Sequence, residues 1–433
     1  MSKRNNNDDI SFLGKIVLIF RSVKDKLIGL HLFKRIFAKQ REISGYGEGE
    51  NIAETKLSYT FSILKVCSLS LLCFLLVFTL IFGGSIISYE NVYYMFKDIG
   101  YISSFSESRP EMLNYTKPFD NQDFAAFKNG LAVASDSEIK LFTSTGRTTL
   151  SIGSSFTNPK ICTSNANVLI YDQGRHEYSV YNSFTSVHSE TLQHPIAYAD
   201  MSDDGSYCLV TRSGDYGSTV KVYNNKFAIV TEYFKNDHII SAELSPNGRF
   251  LTVLSISAEG GKSKTELNVL KIGNKSPLAT VVLYDKLPYT VKFLSNERIA
   301  LISSDHSSVY DVNGVLRNSF AFPDQLTHMS FTNGGYALVF ANGEVKGSNT
   351  VAAFDSNGNL TYTEIVENSV RDMQIVDNYI YLVSEHELKK IDVKLRSIVS
   401  REYSAENGRL IIFPGGDVMV CFETNANYIS FAD

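Results

Sequence analysis

Two short motifs contain residue types that bind phosphate or metal ions. Gly260-Gly261-Lys262-Ser263 matches the end of a phosphate-binding loop, in which backbone N–H groups and a lysine hold the phosphates. The first glycine of such a loop would fall at Ile256, and the flanking residues favour two strands rather than a strand followed by a helix. This motif therefore predicts a strand-to-strand loop and not a nucleotide site.

The second motif has the spacing of a calcium loop. Asp355, Asn357 and Asn359 stand where the first ligands of that loop would lie. The central glycine position is Leu360 and the twelfth position is Val366, so the bidentate glutamate is missing. Asn and Gly in this pattern suit a hairpin turn with positive φ angles. We expect a turn here and predict no metal ligands.

The five cysteines are the residues that could form disulfides or bind zinc. Cys67 and Cys73 lie in an apolar run, which leaves Cys162, Cys208 and Cys421 as an odd number without close pairs. This spacing fits neither a disulfide framework nor a zinc site. We expect buried free thiols, with one disulfide between neighbouring repeat units as the alternative.

Local motifs of catalysis are missing from the sequence. There is no Gly-x-Ser-x-Gly motif, and there is no tryptophan of the kind on which quinone-cofactor dehydrogenases stack their cofactor. We therefore predict no catalytic residues, no cofactor-binding residues and no cofactor. Residues on the inner strands of a repeat fold can form a catalytic site even when they are far apart in sequence. A hydrolase or a dehydrogenase therefore stays as the least favoured function.

Composition limits the class of protein. Hydrophobic residues make up 44% of the 433 residues and charged residues 20%, which excludes wholesale disorder. The net charge of −5 excludes a uniformly basic nucleic-acid binder, and we predict no nucleic-acid partner. Residues 1–65 hold 12 Lys/Arg and 7 Asp/Glu, a net of +5, so the remainder carries −10. The nine prolines and the many Lys, Asn, Ile and Tyr residues suggest an AT-rich bacterium.

From about Phe124 onward the sequence consists of repeats. Polar turns alternate with short strands, and the second strands of successive units begin 37 to 49 residues apart. These strands read GLAVAS, NVLIYD, SYCLVT, RFLTVL, RIALIS, YALVFA, YIYLVS and DVMVCF. Such a period predicts an all-β fold, a β-propeller of eight four-stranded blades, with seven as the alternative. The last unit ends after its third strand, so we look for its outer strand within Glu111–Phe119.

The run before the repeats has the length of a membrane span. Residues 66–89 (VCSLSLLCFLLVFTLIFGGSIISY) contain no charged side chain, and about 20 apolar residues in a helix cross a bilayer core. The excess of Lys and Arg before this run predicts a cytoplasmic N-terminus and an extracytoplasmic C-terminal part. An uncleaved anchor is favoured over a signal peptide, because 65 residues precede the run.

The cytoplasmic segment has an amphipathic stripe with positive charge. Phe12, Ile16, Phe20, Val23 and Leu27 recur at helical spacing, and Phe12–Arg41 holds eight Lys/Arg and one acid. This combination predicts a short helix on an anionic membrane surface, and membrane lipid is thus a predicted partner. A helix that packs on a partner protein is the alternative.

The repeat units also resemble known propellers. AAFKNGLAVAS, KLFTSTGR and the ELSPNGRFLTV type resemble WD-like and quinoprotein-like repeats over about Phe124–Asp433, although the Gly-His and Trp-Asp signatures are absent. With its span and basic helix, the chain resembles a domain-of-unknown-function family of membrane-anchored propellers in clostridial bacteria. That resemblance implies a fold and an anchor, and it supplies no catalytic residues.

These features predict four segments. Residues 1–65 form a cytoplasmic helix and linker, 66–89 the span, 90–123 a connector with the possible ring-closing strand, and 124–433 the propeller. A plasma-membrane protein of this design is expected to be a non-enzymatic scaffold in the cell envelope that binds an unknown extracytoplasmic protein. A sensor of an envelope glycan or peptide is the second hypothesis.

A candidate interaction face follows from loop lengths. The loops between second and third strands are long at Arg212–Ser218, Ser257–Lys264 and Ala341–Ser348, and such loops emerge on one face of a propeller. Tyr216 would be a rigid anchor there, whereas tolerated insertions are the alternative explanation. The residues expected on this face are Arg212, Asp215, Tyr216, Lys262, Glu344 and Lys346.

Overall fold

The computed structural model describes residues 65, 68–73, 111–115, 121–213, 217–343, 347–403, 408–413 and 416–431. Their strands form eight antiparallel sheets of four strands, and each sheet is one blade. The predicted eight-bladed all-β propeller is thereby confirmed, and the seven-bladed alternative is excluded.

The first four blades follow the sequence in order. The strand β1 (Met112–Asn114) precedes them. Blade 1 contains β2 (Gln122–Phe127), β3 (Gly130–Ser135), β4 (Glu138–Phe142) and β5 (Thr148–Gly153). Blade 2 contains β6 (Pro159–Thr163), β7 (Val168–Asp172), β8 (Glu177–Tyr181) and β9 (Ser186–Thr191). Blade 3 contains β10 (Ile196–Met201), β11 (Tyr207–Ser213), β12 (Gly217–Tyr223) and β13 (Ile229–Lys235). Blade 4 contains β14 (His238–Leu244), β15 (Phe250–Glu259), β16 (Lys262–Lys271) and β17 (Ala279–Tyr284).

The remaining blades continue the pattern, and the last one uses β1. Blade 5 contains β18 (Pro288–Ser295), β19 (Arg298–Ser303), β20 (His306–Asp311) and β21 (Leu316–Ala321). Blade 6 contains β22 (Leu326–Thr332), β23 (Gly335–Ala341), β24 (Ser348–Asp355) and β25 (Leu360–Glu367). Blade 7 contains β26 (Asp372–Val376), β27 (Tyr379–Val383), β28 (Glu387–Asp392) and β29 (Ser397–Glu402). Blade 8 contains β30 (Arg409–Ile412), β31 (Val418–Cys421), β32 (Asn425–Ile429) and β1 as its outer strand.

Hydrophobic side chains are buried between blades and not within them. Eight core clusters are present, and each one combines residues of two neighbouring blades. Strand β3 shows the cause, because alternate side chains of a strand point to opposite faces. Leu131 and Val133 pack with blade 8, whereas Ala132 and Ala134 pack with blade 2. Each blade therefore depends on both of its neighbours.

The inner strands close into a ring. Each inner strand contacts the inner strand of the next blade, and β30 of blade 8 contacts β2 of blade 1. Carboxylates at these contacts accept backbone N–H groups of the following blade. These hydrogen bonds join Ile161 N to Asp123 Oδ2 (2.8 Å), Leu244 N to Asp200 Oδ2 (2.9 Å) and Leu410 N to Asp372 Oδ2 (2.7 Å).

Strand β1 links the two ends of the propeller sequence. It pairs antiparallel with β32 in the register Met112↔Asn427, Leu113↔Ala426 and Asn114↔Asn425. Leu113 and Tyr115 are buried in the cluster shared by blades 8 and 1. The strand lies within the segment Glu111–Phe119 in which an outer strand was sought from the sequence. An early segment of the propeller thus covers the edge of its last blade.

The turn prediction is confirmed, and so is the prediction that Cys162, Cys208 and Cys421 are free thiols. Cys208 and Cys421 are buried as expected, whereas Cys162 is only partly buried. Asp355 Oδ1 accepts the backbone N–H groups of residues 357 and 359 at 2.8 and 2.9 Å, which is the geometry of an Asx turn. Gly358 in that turn has a φ angle of +83°.

Little of the predicted N-terminal region lies within the described residues. Lys65 and residues 68–73 are helical. Among the residues that the structure describes, no helix has both the length and the apolar character needed to cross a membrane. The rest of the span predicted at 66–89 lies outside the described residues. So do the residues of the predicted surface helix, Phe12, Ile16, Phe20, Val23 and Leu27.

Ring closure by β1 predicts that substitutions at two adjacent residues lower the free energy of unfolding by different amounts. Leu113 is 7% exposed and Met112 is 51% exposed. Leu113→Ala should lower the free energy of unfolding by about 2–4 kcal/mol, because a cavity opens between blades 8 and 1. Met112→Ala should change it by less than about 0.5 kcal/mol. Urea unfolding followed by circular dichroism measures both, and equal effects would contradict the closing role of β1.

Candidate functional site

The two faces of the ring differ in which turns they carry. We call the face with the hairpins between second and third strands the upper face; it also carries the connectors between blades. The lower face carries the other hairpins. In blade 4 the upper hairpin is formed by β15 and β16, whose ten residues each make them the longest strands among the described residues. This hairpin therefore extends further than its counterparts.

Two expectations of long loops are corrected. Within Arg212–Ser218, strand pairing continues to Ser213↔Gly217. Residues Ser257–Lys264 were expected to be a long loop, but pairing continues to Glu259↔Lys262 and leaves a two-residue turn. Gly260 and Gly261 have φ angles of +58° and +80°, which glycine adopts without steric cost. Two residues with positive φ form the tight turn that suits twisted strands, so the Gly-Gly pair allows the strands to pair to their ends.

Behind this hairpin, the connector between blades 4 and 5 presents three large side chains to solvent. Tyr284 is 49% exposed, Leu287 is 55% exposed and Tyr289 is 48% exposed. We call these three residues the upper patch. Tyr284 ends β17, Leu287 lies in the connector, and Tyr289 sits at an irregularity near the start of β18.

Hydrogen bonds from two hairpins fix the backbone of the connector. Asp285 N donates to Ser263 O at 2.9 Å, and Ser304 N donates to Leu287 O at 2.9 Å. The Thr265 hydroxyl donates to Lys286 O at 2.7 Å. The upper patch is thus held on a well-fixed backbone, so less conformational entropy is lost when a partner covers it.

Charged groups surround the upper patch. Lys262 Nζ lies 3.3 Å from Asp285 Oδ2, and the Tyr284 hydroxyl donates to Glu259 Oε2 at 3.2 Å. Lys264 Nζ lies 3.0 Å from the same carboxylate group. Hydrogen bonding to Lys264 lowers the pKa of Glu259, so its carboxylate is ionised at neutral pH. This arrangement, apolar side chains beside paired charges, is typical of a protein-binding surface.

The structure places two of the predicted face residues. Lys262 contacts the connector that carries the upper patch, as described above. Arg212 is exposed on the upper side of blade 3, where its Nη2 atom lies 2.8 Å from His238 Nε2. The other predicted members of this face lie outside the described residues: Asp215, Tyr216, Glu344 and Lys346.

Sequence reasoning missed the upper patch itself. Its three residues belong to the run Tyr-Asp-Lys-Leu-Pro-Tyr at positions 284–289, which joins two blades. A connector between strands normally runs over the surface and is polar. Aromatic and aliphatic residues in such a connector are the signal that would have identified it. Loop length, the criterion used above, gave no indication, because this connector is short.

A second group of titratable residues lies among the inner strands. Tyr198 and Lys292, from blades 3 and 5, both donate hydrogen bonds to Glu243 Oε1 of blade 4. Burial, and then the nearby Asp200, raise the pKa of Glu243 to about 8. Burial also raises the pKa of the Cys162 thiol, which disfavours the nucleophilic thiolate. Tyr198, Glu243 and Lys292 hydrogen-bond one another, so this cluster joins three blades.

A polar groove lies between blades 1 and 2. Its volume is about 290 Å³. Hydroxyl and carboxylate groups dominate its lining, among them Ser154, Ser179, Ser189, Glu177 and Glu190. The Tyr178 hydroxyl donates to Glu190 Oε2 at 2.8 Å. Side chains of this chemistry can hydrogen-bond a polyol or a sugar.

The closed ring of eight four-stranded blades defines the chain as an eight-bladed β-propeller. Residues 110–431 match the model of a family of unknown function, DUF5711, and the chain belongs to that family. Membership in a family of unknown function, together with the propeller fold, confirms that part of the resemblance, whereas the clostridial source and the membrane anchor stay predictions. No curated protein matches the chain.

Solved structures with the same fold are distant in sequence. BamB from Moraxella catarrhalis is 12% identical with a TM-score of 0.52, over 75% of this chain and 99% of BamB. Sqt1 from Saccharomyces cerevisiae is 10% identical with a TM-score of 0.54, over 74% of this chain and 99% of Sqt1. At these identities the likeness shows the propeller fold alone.

The raised pKa of Glu243 predicts how stability varies with pH. Between about pH 5 and 8 the folded protein retains a proton that an unfolded glutamate, with a pKa of about 4.3, has lost. The free energy of unfolding should therefore fall as the pH rises, by at most about 1.4 kcal/mol per pH unit. Glu243→Gln should remove this contribution, whereas Glu259→Gln should leave it. Urea unfolding across this range measures the slope, and an unchanged slope in Glu243→Gln would contradict the assignment.

Proposed function

We propose that the chain is a single-pass membrane protein whose propeller lies outside the cytoplasm and binds a protein partner without catalysing a reaction. The observation that carries this proposal is the upper patch, three large exposed side chains on a backbone fixed by hydrogen bonds. Tyrosines of this kind are enriched among residues that dominate binding energy at protein interfaces. The surrounding ion pairs would form the polar rim of such an interface.

The membrane placement is supported by the sequence. The uncharged run at 66–89 and the excess of Lys and Arg before it favour an anchor with an extracytoplasmic propeller. The proposal of a scaffold is supported by the chemistry of the described residues. On the inner strands, Tyr198 and Lys292 hydrogen-bond Glu243, and burial disfavours the thiolate of Cys162. In this proposal the propeller holds a partner in the cell envelope.

A second candidate is a sensor of an envelope glycan, and the groove between blades 1 and 2 favours it. Glu177, Glu190 and the serine hydroxyls there suit a polyhydroxylated ligand. The side chains best placed to stack on a sugar ring, Tyr181 and Phe156, are both nearly buried. The upper patch has the larger exposed apolar surface, and we therefore place protein binding first.

The upper patch is tested by comparing two triple variants in capture from solubilised envelopes. Replacing Tyr284, Leu287 and Tyr289 with Ser should reduce capture of the partner at least about tenfold, since truncating a single anchor residue at the centre of an interface costs about 2 kcal/mol or more. The matched control replaces Leu278, Val315 and Leu360, three exposed residues of the lower face, with Ser and should retain capture.

Both variants should melt within a few degrees of the unchanged protein, because none of the six residues is buried. Undiminished capture by the upper-patch variant would refute this docking surface. If capture of protein is unaffected but a glycan binds in the groove, the sensor hypothesis is favoured instead.

A further inference from the structure

Exposed aliphatic residues recur at one position of the lower face. In blades 3 to 8 an apolar residue stands at or just before the start of the outer strand, and it is between 47% and 77% exposed. These residues are Ile229, Leu278, Val315, Leu360, Leu395 and Met112. In blades 1 and 2 the outer strands begin with Thr148 and Ser186. Six consecutive blades thus present at least one apolar side chain each on the same face.

The acidic residues of these hairpins turn toward their own backbone. Asp311 Oδ1 accepts the N–H groups of residues 313 and 315, both at 2.9 Å. Asp392 Oδ1 accepts those of residues 394 and 395 at 2.9 and 2.8 Å. Asp355 caps its turn in the same way, as described above. A carboxylate that accepts backbone N–H groups of its own turn points toward the turn rather than away from it.

The basic residues of the same hairpins are exposed. They are Lys226 in blade 3, Lys271 and Lys275 in blade 4, and Lys394 and Arg396 in blade 7. Glu111, directly before β1, is a further exposed acid of the margin. Other acids of the lower face lie in the hairpins between first and second strands, which are closer to the ring axis. These inner acids are Asp203, Asp204, Glu297, Asp377 and Asp417. The outer margin of this face therefore combines apolar groups with five exposed basic side chains, whereas three of its four acids (Asp311, Asp355 and Asp392, but not Glu111) point into their own turns.

The direction of β1 connects this margin to the upstream sequence. Outer strands run from the lower to the upper face, and β1 pairs antiparallel with the third strand β32. Tyr115, just after β1, donates its N–H to Thr424 O in an upper hairpin at 2.9 Å. The chain therefore enters the ring at the lower face. The uncharged run at 66–89 precedes that entry point in sequence.

We infer that this margin, the lower rim, docks on an anionic lipid bilayer. The lower rim consists of the six aliphatic residues and the five basic residues named above. Aliphatic groups that enter the headgroup region, together with Lys and Arg that face anionic lipids, are the two parts of peripheral membrane binding. Hairpins on one face of a ring can meet a flat surface together. The inference draws on the proposed membrane placement and is independent of the upper patch.

The test uses residues 98–433, which contain the closed ring and all eight core clusters. An N-terminal hexahistidine tag would hold this domain on vesicles with nickel-chelating lipid, so that the chain again enters from the bilayer side. In a Cys162→Ser background, an environment-sensitive label is placed at Leu278→Cys or Leu395→Cys on the lower rim. The control is Leu287→Cys on the upper face, which has similar exposure. Quenching by nitroxide-labelled lipid reports the contact with the bilayer.

On vesicles that contain phosphatidylglycerol, quenching at the two lower-rim positions should exceed that at position 287 several-fold. Phosphatidylcholine vesicles, or Lys226→Glu, Lys275→Glu and Lys394→Glu together, should reduce this excess several-fold at unchanged melting temperature. Equal quenching at all three positions overturns the inference. An excess of quenching at the lower-rim positions that is equally large on phosphatidylcholine vesicles also overturns it. If the lower-rim labels are shielded from solvent without vesicles and the protein is dimeric in gel filtration, the lower rim contacts a second copy of the chain. That result would also overturn the inference. None of these outcomes depends on capture by the upper patch.

Discussion

The packing between neighbouring blades is the constraint on which the rest of the structure depends. Each of the eight core clusters belongs to two blades, so no blade can bury its apolar side chains alone. A ring satisfies every blade at once, provided that the first and last blades also meet. Strand β1 supports this closure by pairing with β32 and by placing Leu113 in the shared cluster. A linear array would leave two apolar faces exposed to water.

Closure also determines where function can lie. Alternate side chains of each strand are used for packing against the two neighbours, which leaves the hairpins and connectors at the two faces free to vary. The upper patch arises where a long hairpin and a short connector meet between blades 4 and 5. The inner strands are occupied by hydrogen bonds between blades, including the cluster around Glu243. Recognition at the margins of the ring is therefore compatible with a fully packed interior.

The repeat period predicted eight blades, with seven as the alternative, and the need for an additional outer strand, because both follow from counting strands. Local composition was less informative about which residues form the exposed surfaces on the two faces of the ring. Ser257–Lys264 was wrongly expected to be a loop, since a Gly-Gly turn allows pairing to continue where length alone suggests an insertion. The cluster of Tyr198, Glu243 and Lys292 could not be foreseen, because its members come from three blades. The exposure of Tyr284, Leu287 and Tyr289 depends on how two blades meet, which periodicity does not encode.

Cross-linking in intact cells tests the central claim, that the upper patch binds a protein outside the cytoplasm. A cysteine at Leu287→Cys or, as control, at Val399→Cys in the outer strand of blade 7, which has similar exposure, carries a membrane-impermeant, thiol-reactive photo-crosslinker in a Cys162→Ser background. The account predicts that both positions are labelled from outside and that position 287 alone gives a discrete cross-linked protein. Equal adducts from both positions, or labelling only after the membrane has been permeabilised, would contradict it.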